Sequence, residues 1–430
     1  MKEQIENMYI KILEEELKPA LGCTEPIAIS FLAASIKHYI GGLPESLIIE
    51  ASGNIIKNAK SVVVPNTGGM KGIIVAAGAG FVAGDAKAGL EVLKAVSNED
   101  IPRIKAFIEN TSITLKKLES PSSLHIKMEA KLGEDVYKGE LKDQHTNIVK
   151  ITKNDDVLYS LSEDSTSQGD KNVLTDRSVL NVKDILEFAS TVAISKVSNL
   201  IDRQVEYNTK ICKAGLNEHY GIDIGRTLLK IYQKETPRLS IRMKAVGETA
   251  AASDARMCGC PLPVVTNSGS GNQGLTVSIP VIVYAREMKV SKERLYRSLI
   301  VSNLLAIHQK TAIGRLSAFC GAVTAGTAAA AAIAYMRSSS YEAVCKTITT
   351  SLATTSGMFC DGAKQSCSNK IVASLEMSLF AMDMALKELS LDSGDGIIKE
   401  NIETTIKGIG KIASQGMVTT DKVILDVMLE

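Results

Sequence analysis

Residues 320–336 read CGAVTAGTAAAAAIAYM, and this run decides the fold of the second half of the chain. It consists mainly of alanine and glycine, so a helix formed here has small side chains that let neighbouring helices approach closely. The run is apolar enough to raise the question of a membrane span, but it is short for one. We therefore predict a buried, tightly packed helix.

The sequence before and after this run has two different periodicities. From Val182 onward nearly every segment repeats its apolar residues with helical spacing. Between Ile113 and Tyr159 the stretches ITLKKL, LHIKMEAKL, VYKGELK and NIVKITK alternate in polarity and are separated by turn residues, which is typical of a small antiparallel sheet. The predicted fold class is α+β: mostly helical, with a small antiparallel sheet in the N-terminal half and an all-helical C-terminal half.

The first hundred residues mix helical and β-rich segments. Residues 1–41 predict two helices broken at Pro19–Cys23. Residues 47–64 predict short β-rich runs that alternate with turns, and residues 68–95, rich in glycine and alanine, predict helix.

A polar stretch, SLSEDSTSQGDKN at residues 160–172, separates the two periodicities and reads as a linker or exposed loop. The chain has 430 residues, enough for two or three domains. We expect an α+β domain at residues 1–175 and a helical domain at residues 176–430.

The charge and cysteine content exclude several classes of protein. A net charge of +1 gives no reason to expect a nucleic-acid or anionic-membrane partner, and the five histidines show no zinc-type pairing. Eight cysteines could form a disulfide framework in a small secreted protein, but this chain is large and begins with the charged, helix-like MKEQIENMYIKILEEELK. We therefore expect a cytoplasmic protein whose cysteines are free thiols or metal ligands.

Three cysteines near the C-terminus could hold an iron–sulfur cluster: Cys320, Cys360 and Cys367, the last two within CDGAKQSC. Such clusters are held by thiolates, and three protein ligands leave one iron free to act as a Lewis acid. A helix start between Cys360 and Cys367 would offset the negative charge of the bound thiolates. The spacing alone equally allows buried cysteines that act only as small hydrophobic residues.

A fourth cysteine stands in Gly22-Cys23-Thr24-Glu25-Pro26, where Thr24 and Pro26 indicate a helix start. The positive end of the helix dipole stabilises a thiolate at this place, so Cys23 could be a nucleophile, a base or a metal ligand. An inert cysteine in a tight turn is the alternative.

Glycine-rich and polar loops supply the remaining candidates. Residues 266–274, TNSGSGNQG, contain a formal GxGxxG, but the helical surroundings argue against a dinucleotide site. A cradle for a small anion such as a carboxylate fits better, with a plain turn as the alternative, and the same pair of readings applies to Pro65–Gly69. The segment His145-Thr146-Asn147 is polar within a predicted strand, where a lone histidine is usually structural.

Taken together, these segments resemble the family of L-cysteine desulfidases and the related UPF0597 proteins, which are akin to the α portion of iron–sulfur L-serine dehydratases. The matching segments run from residue 21 to residue 367: LGCTEPIAIS, SGNIIKNAKSVVVPNTGGMKG, HTNIV, AASDARM, TNSGSGNQG, RLSAFCGAVTAG and SGMFCDGAKQSC. The resemblance implies a 4Fe–4S cluster on Cys320, Cys360 and Cys367, and a functional cysteine at Cys23.

The reaction implied by the resemblance converts L-cysteine to pyruvate, ammonia and hydrogen sulfide. Cys23 would take the Cα proton as the general base, or act as a fourth cluster ligand that substrate displaces. Candidates to hold the substrate carboxylate and amino group are His145, Asn147, Ser268, Ser270 and Asn272. The alternatives are an L-serine or L-threonine dehydratase with the same cluster and a non-catalytic iron–sulfur sensor. The expected partner is a small amino acid, with neither nucleic acid nor membrane, and a homodimer stays open.

Overall fold

The computed structural model describes residues 2–154, 156–161, 174–236, 238–314 and 316–430. The predicted linker at residues 160–172 lies outside these ranges from residue 162 onward. Helices and strands are numbered below in chain order.

The helices in the described part of the chain are α1 (Glu3–Glu16), α2 (Thr24–Ile40), α3 (Gly53–Ala59), α4 (Ile73–Ala83), α5 (Asp100–Asn110), α6 (Val182–Thr191), α7 (Ser198–Asn217), α8 (Ile224–Glu235), α9 (Ile241–Met257), α10 (Gly271–Met288), α11 (Lys292–Thr311), α12 (Gly321–Ser338), α13 (Tyr341–Thr355), α14 (Cys367–Ala385), α15 (Ile402–Lys411) and α16 (Val418–Leu429). The strands are β1 (Pro19–Leu21), β2 (Ser46–Ala51), β3 (Ser112–Lys117), β4 (His125–Leu132), β5 (Asp135–Lys142), β6 (Ile148–Lys153), β7 (Asp156–Ser160) and β8 (Pro263–Val265).

The alanine-rich run forms α12, which is the centre of the helical half. Its residues from Val323 to Met336 are buried, and α12 packs against α10, α11, α13 and α14. Close approach depends on the small side chains: a Cβ at Gly326 would lie 2.4 Å from Oγ of Ser374 in α14. The prediction of a buried, tightly packed helix is confirmed. None of the described helices is both long and apolar enough to cross a membrane.

The predicted α+β class is confirmed, and the sheet of the N-terminal half has six strands in the order β3-β2-β4-β5-β6-β7. It is mixed rather than purely antiparallel, because β2 and β3 are parallel, with Ser46 opposite Ser112. Parallel neighbours need a long crossover, and α3, α4 and α5 supply it. The β-rich runs predicted at residues 47–64 are therefore wrong beyond Ala51, where the chain turns into α3 and buries Ile55 and Ala59 at helical spacing.

Two hydrophobic cores organise the molecule. The larger lies among the C-terminal helices and includes Tyr9 and Leu13 of α1. The smaller lies between α2, α4, α5 and the sheet, and it includes Leu425 of α16. Each terminal helix thus packs against the core that the other half of the chain builds. The division at residues 175 and 176 stays a prediction.

Helix α8 crosses α9 at a backbone-to-backbone contact that Gly225 makes possible. A Cβ there would lie 2.2 Å from the backbone nitrogen of Ala251 and 2.5 Å from the carbonyl oxygen of Gly247. We expect Gly225→Ala to lower the free energy of unfolding by about 1–3 kcal/mol, because the helices would have to separate.

The matched control is Gly408→Ala in α15, where no atom lies within 4 Å of an added Cβ. That change should raise the free energy of unfolding by about 0.5–1 kcal/mol, since alanine restricts the unfolded chain. Urea unfolding of both variants checks the pair, and equal effects would show that the contact is not tight.

Candidate active site

Four helices of the described chain, α2, α10, α12 and α14, begin at one cavity of about 100 Å³. The cavity is far smaller than the about 300–1,000 Å³ of pockets for drug-sized ligands, so it suits a small molecule. Each helix presents its N-terminal end, through Cys23, Ser270, Cys320 and Cys367 respectively. Because helix N-termini carry partial positive charge, the cavity favours anions and thiolates.

A short antiparallel pairing of β1 with β8 places Cys23 beside the glycine-rich loop. Strand β1 ends two residues before Cys23, and β8 leads directly into residues 266–270. Thr24 Oγ1 donates a hydrogen bond to the carbonyl oxygen of Gly269 at 3.1 Å. Segments more than two hundred residues apart in sequence are thereby fixed side by side.

A second pairing brings two of the C-terminal cysteines together. Phe319 and Phe359 form an isolated antiparallel bridge, and the Cys320 N–H donates to the carbonyl oxygen of Met358 at 3.0 Å. Cys320 therefore lies just before α12, at the start of the alanine-rich run. Cys360 follows the bridge on the neighbouring segment.

Cys367 reaches the same cavity through a tight loop. Gly362 has φ of +97°, in the left-handed region that favours glycine, and a Cβ there would lie 2.4 Å from the carbonyl oxygen of Lys57. Helix α14 begins at Cys367 itself, at the end of the interval between Cys360 and Cys367 in which the sequence predicts a helix start. The backbone N–H of Lys364 points at the Cys367 sulfur, at 3.4 Å.

The donor set of these three cysteines fits an iron–sulfur cluster. Burial and then the charge of Cys360 raise the pKa of Cys320 to about 12. The same two causes raise the pKa of Cys367. All three cysteines line the cavity. A bound metal would deprotonate them outright. Within the described ranges, no group of three or more His, Cys, Asp or Glu converges on one point for a single metal ion. A cluster needs no such point, because its thiolates bind different irons.

The cavity lining also carries a hydrogen-bonded carboxylate, Glu25. Cys23 Sγ donates to its Oε2 at 3.0 Å, Thr24 Oγ1 donates to the same oxygen at 3.1 Å, and Asn58 Nδ2 donates to Oε1 at 3.1 Å. The Nε2 of His145 lies 3.7 Å from Oε1, within ion-pair range. Glu25 is thus the acceptor at the centre of a buried polar network.

This network sets the charges of Glu25 and Cys23. Burial alone would raise the pKa of Glu25, but His145 and Cys23 outweigh burial and lower the pKa to about 2. Burial and then the Glu25 charge raise the pKa of Cys23 well above its usual value, while Arg256 acts in the opposite direction. Cys23 therefore rests as a thiol, although its helix terminus alone predicts a thiolate.

The predicted substrate-holding residues divide into three groups. Ser270 and Asn272 line the cavity. His145 lies behind Glu25. Ser268 and Asn147 are not part of the lining: Ser268 Oγ donates to Asn267 Oδ1 at 2.9 Å, and Asn147 Nδ2 donates to the carbonyl oxygen of Lys142 at 3.0 Å. The two members of the last group support loops instead.

Of the two glycine-rich candidate segments, only residues 266–274 contribute to the cavity lining. Residues 266–274 open α10 at the cavity, and the three-residue β8 that precedes them pairs antiparallel, so the parallel βαβ unit of a dinucleotide site is not formed there. In Pro65–Gly69, the buried Thr67 hydroxyl donates to the carbonyl oxygen of Val64 at 2.7 Å, and the loop lies outside the cavity lining. It is a turn.

Sequence reasoning missed Glu25, Asn58, Arg256 and Gln273, which all line the cavity. Arg256 carried a usable signal. It stands in the run TAAASDARM, whose other side chains are mostly small, which is typical of a fully buried helix. An arginine in such a helix is rarely buried unless an anionic group pairs with it. Glu25 carried a weaker one, since it lies two residues from Cys23 in a segment already singled out.

Comparison with known proteins places the chain in a family. Residues 87–426 match the model of the serine dehydratase alpha chain. UPF0597 proteins are similar over nearly the full length: that of Treponema denticola is 55% identical over 98% of this chain and 97% of its own length. The protein of Lachnoclostridium phytofermentans is 47% identical over 98% and 99%, and that of Fusobacterium nucleatum 43% over 100% of both. The chain belongs to the serine dehydratase alpha chain family, and the predicted resemblance is confirmed.

The charge of Glu25 can be tested through the reactivity of its neighbour. We expect Glu25→Gln to lower the pKa of Cys23, because the change removes a negative charge that opposes the thiolate. In iron-free protein at pH 8, Cys23 should then react faster with iodoacetamide, as mass spectrometry of its peptide would show. Glu400→Gln, at an exposed position outside the cavity lining, is the control, and an unchanged rate in Glu25→Gln would contradict the assigned contact.

Proposed function

We propose that this member of the serine dehydratase alpha chain family is an iron–sulfur-dependent lyase that converts L-cysteine to pyruvate, ammonia and hydrogen sulfide. The observation that carries the proposal is the cavity itself. It sets a hydrogen-bonded Cys23–Glu25 pair against three free cysteines, at the converging N-terminal ends of four described helices. A candidate base and candidate cluster ligands that line the same small cavity suit a β-elimination.

Cys320, Cys360 and Cys367 would hold the 4Fe–4S cluster. When bound, the cluster would supply a Lewis-acidic iron that stabilises the leaving group and the charge developing on the substrate. The protein contributes positive charge around it. Lys370, ion-paired with Asp361, lines the cavity together with the three thiols. The positively polarised N-termini of α12 and α14 begin at the same cavity.

The proton chemistry belongs to Cys23. Its thiol must first lose its proton to solvent, because Glu25, with a pKa of about 2, is too weak a base to accept it, and the Glu25 charge then makes the Cys23 thiolate more basic. That thiolate takes the Cα proton of the substrate while the Cβ–S bond breaks and sulfide departs. The aminoacrylate product reacts with water to give pyruvate and ammonia. Asn58, Thr24 and His145 hold the Glu25 carboxylate in place throughout.

A second candidate is L-serine dehydratase, with L-threonine as a related substrate. The description of the matching family favours it, and the same proton chemistry applies with hydroxide as the leaving group. A small amino acid is the proposed ligand in both cases. We place the enzyme in the cytoplasm, because free thiols and a cluster require a reducing compartment. The homodimer stays a prediction.

The cluster assignment and the activity can be tested together on protein purified without oxygen. We expect about four irons per chain and release of sulfide and pyruvate from L-cysteine faster than release of pyruvate from L-serine. Cys320→Ser, Cys360→Ser and Cys367→Ser should lose most of the iron.

The control for this experiment is Cys345→Ser, since Cys345 is a half-buried free cysteine of α13 outside the cavity lining. It should keep both iron and turnover. Full iron content in the three ligand variants would refute the cluster site, whereas faster turnover of L-serine would favour the second candidate.

Cys23→Ser separates the two roles open to Cys23. If Cys23 is the base, the variant keeps its iron and the cluster spectrum of the resting enzyme, and turnover falls by about 10²–10⁴-fold, because an alcohol is a far weaker base at neutral pH. Electron paramagnetic resonance and steady-state rates measure both quantities. A changed cluster signal with a nearly normal rate would instead identify Cys23 as a displaceable fourth ligand.

A further inference from the structure

Among the charged groups that line the cavity, Arg256 has neither a task in the proposed reaction nor an ion-pair partner in the described residues. Arg256, in α9, lines the cavity and is 4% exposed. Among the described residues, no carboxylate forms an ion pair with it and its Nε has no hydrogen-bond partner, while its Nη1 reaches only the Met257 sulfur at 3.9 Å. Burying a charge without a partner is costly, so the guanidinium is built to meet an anion that binds there.

The guanidinium packs against the backbone at Gly271, in space that a larger residue would occupy. A Cβ at Gly271 would lie 2.3 Å from Nε and 2.7 Å from Cζ of Arg256, so only glycine leaves room for the group at this point. Gly271 is the first residue of α10, and Ser270 before it lines the cavity. An anion at this place meets both a forked donor and a helix N-terminus.

Unpartnered acceptors line the same cavity. Gln273 is 6% exposed, and its Oε1 has no hydrogen-bond partner in the described ranges; the same holds for Asn58 Oδ1. Gly321 makes room for the Gln273 amide, because a Cβ there would lie 2.5 Å from Gln273 Cδ. A ligand that satisfies these oxygens must donate hydrogen bonds, as an ammonium group does.

We propose that Arg256 binds the α-carboxylate of the amino-acid substrate and that Gln273 accepts a hydrogen bond from its α-ammonium group. The identity of the ligand rests on the proposed function. The unpartnered donor of Arg256 and acceptor of Gln273 are features of the described cavity itself. It makes Arg256 and Gln273 the residues that select an α-amino acid over other small molecules and that orient its Cα proton.

The test uses three ligands that lack a β-leaving group and so bind without turnover. L-Alanine has both charged groups, propionate lacks the ammonium, and ethylamine lacks the carboxylate. Isothermal titration calorimetry on iron-loaded protein, kept free of oxygen, measures their affinities for wild type, Arg256→Gln, Arg256→Lys and Gln273→Met. Arg286→Gln is the matched control, since Arg286 is paired with Glu248 outside the cavity lining.

The expected result is a crossover. Arg256→Gln should weaken L-alanine and propionate by about 10–100-fold and leave ethylamine unchanged, whereas Gln273→Met should weaken L-alanine and ethylamine and leave propionate unchanged. Arg256→Lys should weaken L-alanine less than Arg256→Gln does, because it keeps the charge but loses the fork. Arg286→Gln should change none of the three affinities.

Several results would overturn the inference. Equal weakening of all three ligands in Arg256→Gln, accompanied by loss of iron, would make Arg256 a counter-ion of the cluster. Wild-type affinity for ethylamine equal to that for L-alanine would refute the carboxylate contact even if no Arg256 variant folds. If the variants show the crossover but wild type turns over neither L-cysteine nor L-serine, the proposed function fails and the amino-acid site at Arg256 and Gln273 stands.

Discussion

The structure depends on one electrostatic constraint: the N-terminal ends of α2, α10, α12 and α14 meet at a single small cavity. Four positive helix ends so close together repel one another unless negative charge lies between them. The Glu25 carboxylate supplies part of this negative charge. The thiolates of a bound cluster and an anionic ligand would supply the rest. The buried alanine-rich surface of α12 makes the arrangement possible, because bulky side chains would keep the helix ends apart.

The cysteines and Glu25 respond differently to burial in this cavity. Burial and then the charge of Cys360 raise the pKa values of Cys320 and Cys367, a cost that ligation to a metal would remove. At Glu25, hydrogen bonds and His145 outweigh burial and keep the carboxyl ionised. Burial and then the Glu25 charge hold Cys23 as a thiol, and the same charge would make its thiolate a stronger base in the proposed reaction.

Features set by local sequence could be predicted, and features set by long-range contact could not. The small residues of the alanine-rich run predict the buried helix α12, and alternating polarity predicts the strands between Ile113 and Tyr159. Neither pattern predicts the raised pKa of Cys23, which depends on burial and on the charge of Glu25. His145 and Asn147 are two residues apart, yet only His145 approaches Glu25. The role of Arg256 depends on Gly271 and on the absence of an ion-pair partner among the described residues, which no pattern of residue types records.

Helix α3 contacts both Glu25 and the loop between Cys360 and Cys367. Its Asn58 donates to Glu25, and the carbonyl oxygen of Lys57 lies against Gly362 in the loop between Cys360 and Cys367. The buried ammonium of Lys57 is in turn ion-paired with Asp421 of α16. The last helix therefore holds α3 in place, and α3 fixes the distance between base and cysteines. Because the proposed elimination requires the base and the leaving-group site to act on one substrate at once, the packing of α16 would support that reaction although α16 does not line the cavity.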